Sequence, residues 1–369
     1  MEISLNKLNF NIGKELCYVH ARGLLLEDGF GLITMQKLDL KGFDLFNGLE
    51  FIYSNDSYKT FTEPKYAKNL TRKYYANGTS STFCDFTPYL HKKSNTIIIT
   101  GQQINYDKDG NVVQYKKTLP VYAIFNKKKK EFSKPKFIKI PKEIKDEARR
   151  SGAGCTQIYE LENGNILIPI YYTPENGLAK ITVLECKFNG KKMKLVNYGN
   201  ILSVDVPRGL GEPSIIKFKN KFFQCIRNDQ TGYVASSDDG LHFTTPIPLC
   251  FDNGENLGNY NTQQHWLKNN DKLYLVYTRK AGFNDHVFRH RAPLFIAEFD
   301  TEKMCVIRST EQIAVPERGA RLGNFGCQSY SNETGYIYVS EWMQNDPLGY
   351  EACAKYGSDN SIFISKVTY

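Results

Sequence analysis

Short apolar runs separated by turn residues dominate the chain. Segments such as "LCYVHARGLLLE", "NTIIITGQQINY", "GNILIPIYYT", "PSIIKFKNKFFQCIRN", "KLYLVYTRK", "TGYIYVSEWM" and "SIFISKVTY" each suit one strand. They are rich in β-branched and aromatic residues and are bounded by Gly, Asn or Asp. Helical periodicity is nearly absent, and only "PKEIKDEARRSG" reads as a short helix or a loop. The pattern predicts an all-β fold. Over 369 residues, four-stranded blades give a single closed β-propeller domain spanning 1–369, of seven blades with six as the alternative. The C-terminal strand is expected to pair with the N-terminal region and be shared into the first blade, which removes an exposed edge.

Two distant segments share a turn. In "YSNDSYKTFTEP" the residues are Ser54, Asp56, Thr60, Phe61 and Pro64; in "ASSDDGLHFTTP" they are Ser236, Asp238, Gly240, Phe243 and Pro246. A fainter third copy keeps Phe132, Ser133 and Pro135. A Ser or Asp side chain that bonds amides two residues on, followed by an aromatic tucked under the hairpin, accounts for the pattern. The motif resembles the Asp box that marks hairpin turns in sialidase-type β-propellers, so the resemblance implies the fold and assigns no chemistry.

A longer likeness follows. "GEPSIIKFKNKFFQCIRNDQTGYVASSDDGLHF" resembles the sialidase-superfamily segment in which Glu-Pro begins one strand and Arg-Asn ends the next. By that resemblance Glu212 polarises a nucleophilic Tyr and Arg227 is one of three arginines that clamp a substrate carboxylate. Tyr330, followed by Ser331, is similar to the nucleophile strand. Where sialidases carry Arg-Ile-Pro near the N-terminus, this chain has "CYVHARG", with His20 and Arg22 and no Ile-Pro.

The segment 264–342 is similar to the propeller enzymes that cleave uronate glycans, the ulvan lyases and their relatives acting on rhamnose linked to glucuronate. That likeness implies His265 and His286, 21 residues apart, as an active-centre pair at one end of a hairpin. It also implies His20 as the single histidine of the rhamnose-releasing relatives. The stretch "NDHVFRHRAPLF", read as extended, puts His286, Phe288 and His290 on one face and Val287, Arg289 and Arg291 on the other. Elimination at a uronate needs carboxylate neutralisation, a base and a proton for the leaving oxygen. Arg291 or Arg321 suits the first task, several of Arg279, Arg289, Arg291, Arg318 and Arg321 are expected to line a pocket for an acidic sugar, and histidine suits proton transfer. His286 and His290 on a strand stand roughly 13 Å apart, too far for one zinc, so no metal and no cofactor are expected. His91 and His242 read as structural.

Charge and cysteine usage narrow the partner. Lys plus Arg exceed Asp plus Glu by nine, which suits an acidic oligosaccharide or polysaccharide. No aromatic nucleic-acid platform accompanies the lysines, so nucleic acid is not expected. Nine dispersed cysteines without a C-x-x-C pair read as reduced core residues. The N-terminus has no secretory pattern and the chain no apolar span, which gives a cytoplasmic expectation as written, or a periplasmic or secreted one if a leader has been removed. Three functions stay open: a lyase or hydrolase acting on a uronate glycan at a rhamnose–glucuronate type linkage, a sialidase-like hydrolase using Tyr330 and Glu212, and a binding propeller without catalysis.

Overall fold

Strand pairing in the computed structural model, which describes residues 1–42, 44–113, 117–345 and 349–369, gathers the apolar runs into six antiparallel sheets among the described residues. The architecture is an all-β propeller of six blades, so the alternative count holds and seven does not. Blade 1 uses Leu16–Leu25, Gly31–Asp39, Phe46–Ser54 and Lys65–Tyr66. Blade 2 is built on Ser80–His91, Thr96–Tyr106 and Val121–Asn126, blade 3 on Ala148–Gly152, Asn165–Pro174, Lys180–Phe188 and Met193–Tyr198, and blade 4 on Gly211–Phe218, Lys221–Arg227, Tyr233–Ser237 and Ile247–Pro248. Blade 5 uses His265–Lys268, Leu273–Tyr277 and Leu294–Asp300, and blade 6 uses Gly326–Ser329, Thr334–Ser340 and Ile362–Thr368. Long hairpins in blade 2, the helix Lys142–Glu147 and the loop before Leu294 take up the length that a seventh blade would need.

Closure differs in direction from the expectation. Glu2–Leu8 pairs with Ile362–Thr368, from Glu2 opposite Thr368 to Leu8 opposite Ile362, as the outermost strand of blade 6. The N-terminal strand therefore joins the last blade, and the C-terminal strand does not enter blade 1.

Packing explains why the runs look continuous rather than alternating. Neighbouring residues of one strand feed opposite cores: Ile97 packs toward blade 1 and Ile98 toward blade 3, Ile215 toward blade 3 and Ile216 toward blade 5, Trp266 toward blade 4 and Leu267 toward blade 6. A strand covered on both faces needs apolar residues at both parities. The sixth inter-blade core, between blades 6 and 1, brings Tyr18 and Ile33 against Tyr336 and Tyr338.

The Ser/Asp turns form, the second in a shifted register. Ser54 Oγ donates to Asp56 Oδ1 at 2.7 Å, and Asp56 accepts the Thr60 amide (2.9 Å) and hydroxyl (2.6 Å). In blade 4 the pair is Ser237 and Asp239, not Ser236 and Asp238. Ser237 Oγ donates to Asp239 Oδ1 at 2.9 Å, and His242 Nδ1 lies 2.6 Å from Asp239 Oδ2 where Thr60 sits in the first copy. The fainter third copy is an Asn turn, with Asn126 Oδ1 accepting the amides of Lys128 and Lys129.

Candidate functional site

The innermost strands share a local device. His20, Asp85, Cys155, Glu212 and Asn261, one in each of blades 1 to 5, have φ of 58°, 58°, 59°, 45° and 55°. Non-glycine residues rarely take this left-handed conformation, which costs on the order of 1 kcal/mol or more each. In blades 1, 2 and 4 the pairing register shifts at that residue, between Val19 and Arg22, Cys84 and Thr87, and Gly211 and Ser214. A bulge re-aims the side chain that it carries. Four of the five, His20, Asp85, Cys155 and Glu212, line one cavity of about 360 Å³ at this end of the channel.

Six arginines line that cavity, Arg150, Arg208, Arg227, Arg289, Arg291 and Arg321, against three carboxylates, Asp44, Asp85 and Glu212. Glu212 Oε1 accepts Arg227 Nη1 at 2.6 Å, and Asp229 takes Arg208 Nη1 at 3.1 Å. Arg227, Arg289 and Arg291 also crowd onto one neutral residue. Asn261 Oδ1 accepts Arg227 Nη2 (2.7 Å), Arg291 Nη2 (3.2 Å) and Arg289 Nη1 (3.3 Å), while its carbonyl accepts Arg291 Nε (3.1 Å). Burial, then the charges of Arg227, Arg321 and Arg289, press the Arg291 pKa well below the usual guanidinium range. An arginine does not release its proton in practice, so the pressure is met as electrostatic strain that an anion would relieve. Arg321 is pushed down to about 10, first by burial, and its guanidinium stacks 4.2 Å from the Trp342 ring.

On the floor, His20 Nδ1 stands 3.0 Å from Asp85 Oδ1. The contact is electrostatic and not aligned as a hydrogen bond, since this nitrogen has no hydrogen-bond partner. Burial, opposed by Asp85 and aided by Arg22, lowers the His20 pKa to about 4, so the ring is neutral near pH 7. Asp85 is pulled to about 2: burial alone would raise it, but His20, Arg22, the Cys155 thiol and Gln102 outweigh burial. Gln102 Nε2 donates to Asp85 Oδ2 at 2.6 Å and its Oε1 accepts the Tyr171 hydroxyl at 2.7 Å. Burial, then Glu212, pushes the Tyr171 pKa well above its ordinary value. Besides His20 Nδ1, the buried atoms Glu212 Oε2, Arg227 Nε and Asn105 Nδ2 of the lining residues have no hydrogen-bond partner. No tyrosine hydroxyl of the described residues donates to Glu212.

Of the residues expected from sequence, the structure brings together His20, Glu212, Arg227, Arg289, Arg291 and Arg321. Arg22 is not among the lining residues. It lies fully buried beneath the floor, with Nε donating to the Phe325 carbonyl at 3.0 Å and Nη2 to Cys155 Sγ at 3.0 Å. Arg279 belongs to another structure, a half-buried fork onto Glu311 at 2.9 and 2.6 Å.

The histidine pair does not assemble. His265 is a core residue whose Nδ1 shares a hydrogen bond with Ser214 Oγ at 2.8 Å and whose Nε2 shares one with the Phe325 carbonyl at 3.0 Å. His286 lies outside the cavity, against Glu317 at 2.8 Å and the Tyr356 ring at 4.4 Å. The spacing argument fails because 284–291 is not a strand: Phe288–His290 forms a 3-10 turn, and Arg289 and His290 have φ of 57° and 51°. That loop turns Arg289 and Arg291 toward the cavity and His286 away. Tyr330 is at the opposite end of the channel, packed 5.7 Å from Tyr336, because it follows the far end of Gly326–Ser329. It is therefore not near Glu212.

Sequence reasoning missed Asp85, Gln102, Tyr171, Arg150, Arg208 and Trp342. The usable signal was the repeated short polar break inside each inner-strand run, "VHAR", "FCDFT", "GCTQ", "GEPS" and "YNTQ".

His265 gives a prediction for stability. Burial and the Arg22 charge hold it at about 3 in the fold, whereas an unfolded imidazole titrates near about 6.5. Across that interval the unfolded chain binds the proton preferentially, so stability falls as pH drops. Urea melts from neutral to mildly acid pH should show a loss to which His265 contributes at most about 1.4 kcal/mol per pH unit. The variant His265→Gln should be less stable at neutral pH and have a flatter slope; an unchanged slope would contradict the assignment.

No protein-family model matches the chain, and no curated protein sequence matches it. Solved structures do. A Dyadobacter fermentans protein of unknown function aligns over 99% of this chain and 99% of its own, with TM-score 0.66 and 14% identity. Trypanosoma rangeli sialidase in complex with the inhibitor DANA aligns over 98% of this chain, with TM-score 0.65 and 14% identity, and this chain spans 59% of that one. Phage phi92 endosialidase aligns over 99% of this chain and 69% of its own, with TM-score 0.60 and 10% identity. Likeness at such identities carries the architecture alone: the chain has a sialidase-like, six-bladed β-propeller fold.

Proposed function

We propose that this protein is a carbohydrate-active enzyme that takes an acidic sugar of an anionic glycan into the arginine-lined cavity and cleaves the adjoining glycosidic bond. The observation that carries this reading is the convergence of Arg227, Arg289 and Arg291 on the single amide oxygen of Asn261, three guanidiniums with one hydrogen-bonded carboxylate, Glu212, between them. A carboxylate would accept two parallel N–H bonds from one guanidinium and relieve the others. The enclosed volume falls within the range of small-ligand sites.

His20 is the proton-transfer group in this account. Its neutral ring accepts a proton, and ionised Asp85 stabilises the imidazolium that results. At a uronate, the proton lost is the one beside the carboxylate. Its bonding pair becomes the ring double bond, the bond to the glycosidic oxygen breaks, and the leaving oxygen takes the proton back from His20. At other acidic sugars, the same base takes a proton from an attacking water, the water oxygen bonds to the anomeric carbon as the bond to the glycosidic oxygen breaks, and the leaving oxygen takes the proton from the imidazolium of His20. The rhamnose–glucuronate linkage belongs to the first route and a sialoside to the second. Glu212, fixed by Arg227, and Tyr171 orient sugar hydroxyls in either case.

The test is incubation with uronate-containing glycans, sialosides and neutral glycans, following near-ultraviolet absorbance beside reducing-sugar release. Absorbance with new reducing ends marks elimination, reducing ends alone mark hydrolysis, and both should occur only with acidic substrates. Inertness toward every acidic glycan, with binding retained, would leave a binding propeller instead.

A further inference from the structure

The far end of the channel holds a second cavity, of about 570 Å³, to which all six blades contribute. Its wall is mostly apolar: Leu24 and Leu25 from blade 1, Ile158 from blade 3, Ile215 and Ile216 from blade 4, with the Tyr89 and Tyr330 rings beside them. Gln157 and Gln328 also line it, but their amides are committed to the Trp266 and Leu25 backbones. Both glutamine side chains are thus held by backbone partners, and the wall between them is apolar.

Two lysines line this cavity, Lys92 and Lys268. Lys268 is the unusual one. It stands on the innermost strand of blade 5 and its ammonium donates to the Lys217 backbone carbonyl. Burial, and after it the charges of Lys217 and Lys92, depress its pKa. Two carboxylates also line the cavity, Glu27 and Asp28, both just beyond the blade 1 strand Leu16–Leu25; Asp28 pairs with Lys127, and Glu162 lies 3.9 Å from Lys217 on the exposed side. Thr87 adds a buried hydroxyl oxygen with no hydrogen-bond partner.

We propose that this cavity is a binding site for an amphipathic monoanion, an acyl or aryl chain ending in a carboxylate, with the carboxylate between Lys268 and Lys92 and the chain against the Leu and Ile wall. A lysine that keeps its stem on apolar surface and its charge at one edge is suited to such a ligand. The site is separate from the arginine cavity and uses none of its residues.

Octanoate and its neutral analogue octanamide serve as probes, titrated by calorimetry into wild type, Lys268→Met, Lys92→Ala and Arg291→Gln. Lys268→Met keeps the apolar stem, and Lys92 is exposed, so the second variant holds the test if the first folds poorly. Octanoate should bind wild type and Arg291→Gln alike, about tenfold more weakly to either lysine variant, and octanamide should bind wild type about as weakly as octanoate binds those variants. Equal binding of acid and amide, loss of binding in Arg291→Gln with retention in Lys268→Met, or no saturable binding would each overturn the proposal. The glycan assays with the arginine cavity are unaffected by any of these results.

Discussion

His20→Gln should lower turnover on the cleaved acidic glycan by about a hundredfold or more, the usual scale for a lost acid–base group, with KM and melting temperature close to wild type. Glutamine keeps the polar volume beside Asp85, so a purely structural role would show as lost stability with activity retained. The pH profile separates the two further. In the free protein His20 titrates at about 4, because burial opposes its charge, so the acid limb of kcat/KM should fall there and not near the ordinary imidazole value. A bound carboxylate adds a negative charge that favours the imidazolium, so the limb of kcat itself should lie higher. An acid limb at the same pH in His20→Gln as in wild type would refute the role.

Arg291→Gln should weaken binding of an acidic monosaccharide about thirtyfold or more, the scale of truncating one partner of a buried charge pair. The free protein should be as stable as wild type or more so. Those two effects together are the signature of a group held for a ligand at the expense of the fold. Arg291 is buried and disfavoured by three neighbouring guanidiniums, so removing its charge relieves repulsion while Gln can still donate toward the Asn261 carbonyl. Thermal melts with and without sugar measure both. A variant that melts much lower and still binds the acid normally would show Arg291 to be a structural member of the loop.

The propeller was legible because its strands carry their own evidence. Apolar runs such as "NTIIIT" and "NILIPIYY" are short, β-branched and bounded by turns, and Ser54 with Asp56 forms the turn its spacing implies. Blade count was not legible, since a strand buried on both faces gives no alternation from which to count layers, and loops of unequal length separate the blades. The second turn slipped by one residue because "SSDD" offers two equivalent Ser–Asp pairs, and His242 replaces the threonine that would have fixed the choice.

The site was legible where a residue sits at a break in a strand, as His20 and Glu212 do, and where arginines concentrate, as Arg289 and Arg291 do. It was misread where sequence distance stood in for geometry. His265 opens the strand His265–Lys268 and His286 lies in the loop after Leu273–Tyr277, so one faces Ser214 in the core and the other Glu317 at the surface, because that loop leaves the sheet. Asp85 escaped notice because the polar break in "FCDFTPYL" signals only when set beside those of the other inner strands, and nothing in it names the histidine of another blade that the carboxylate meets.

The measurement closest to the central claim is a crystal structure of the protein with glucuronate or sialate bound. The account places the sugar carboxylate against Arg291, with Arg227 or Arg321 as its second contact, and a sugar carbon or hydroxyl against His20. A carboxylate held instead at the lysine-edged cavity of the far end, or on the outer surface with the arginine cavity unchanged, would contradict it.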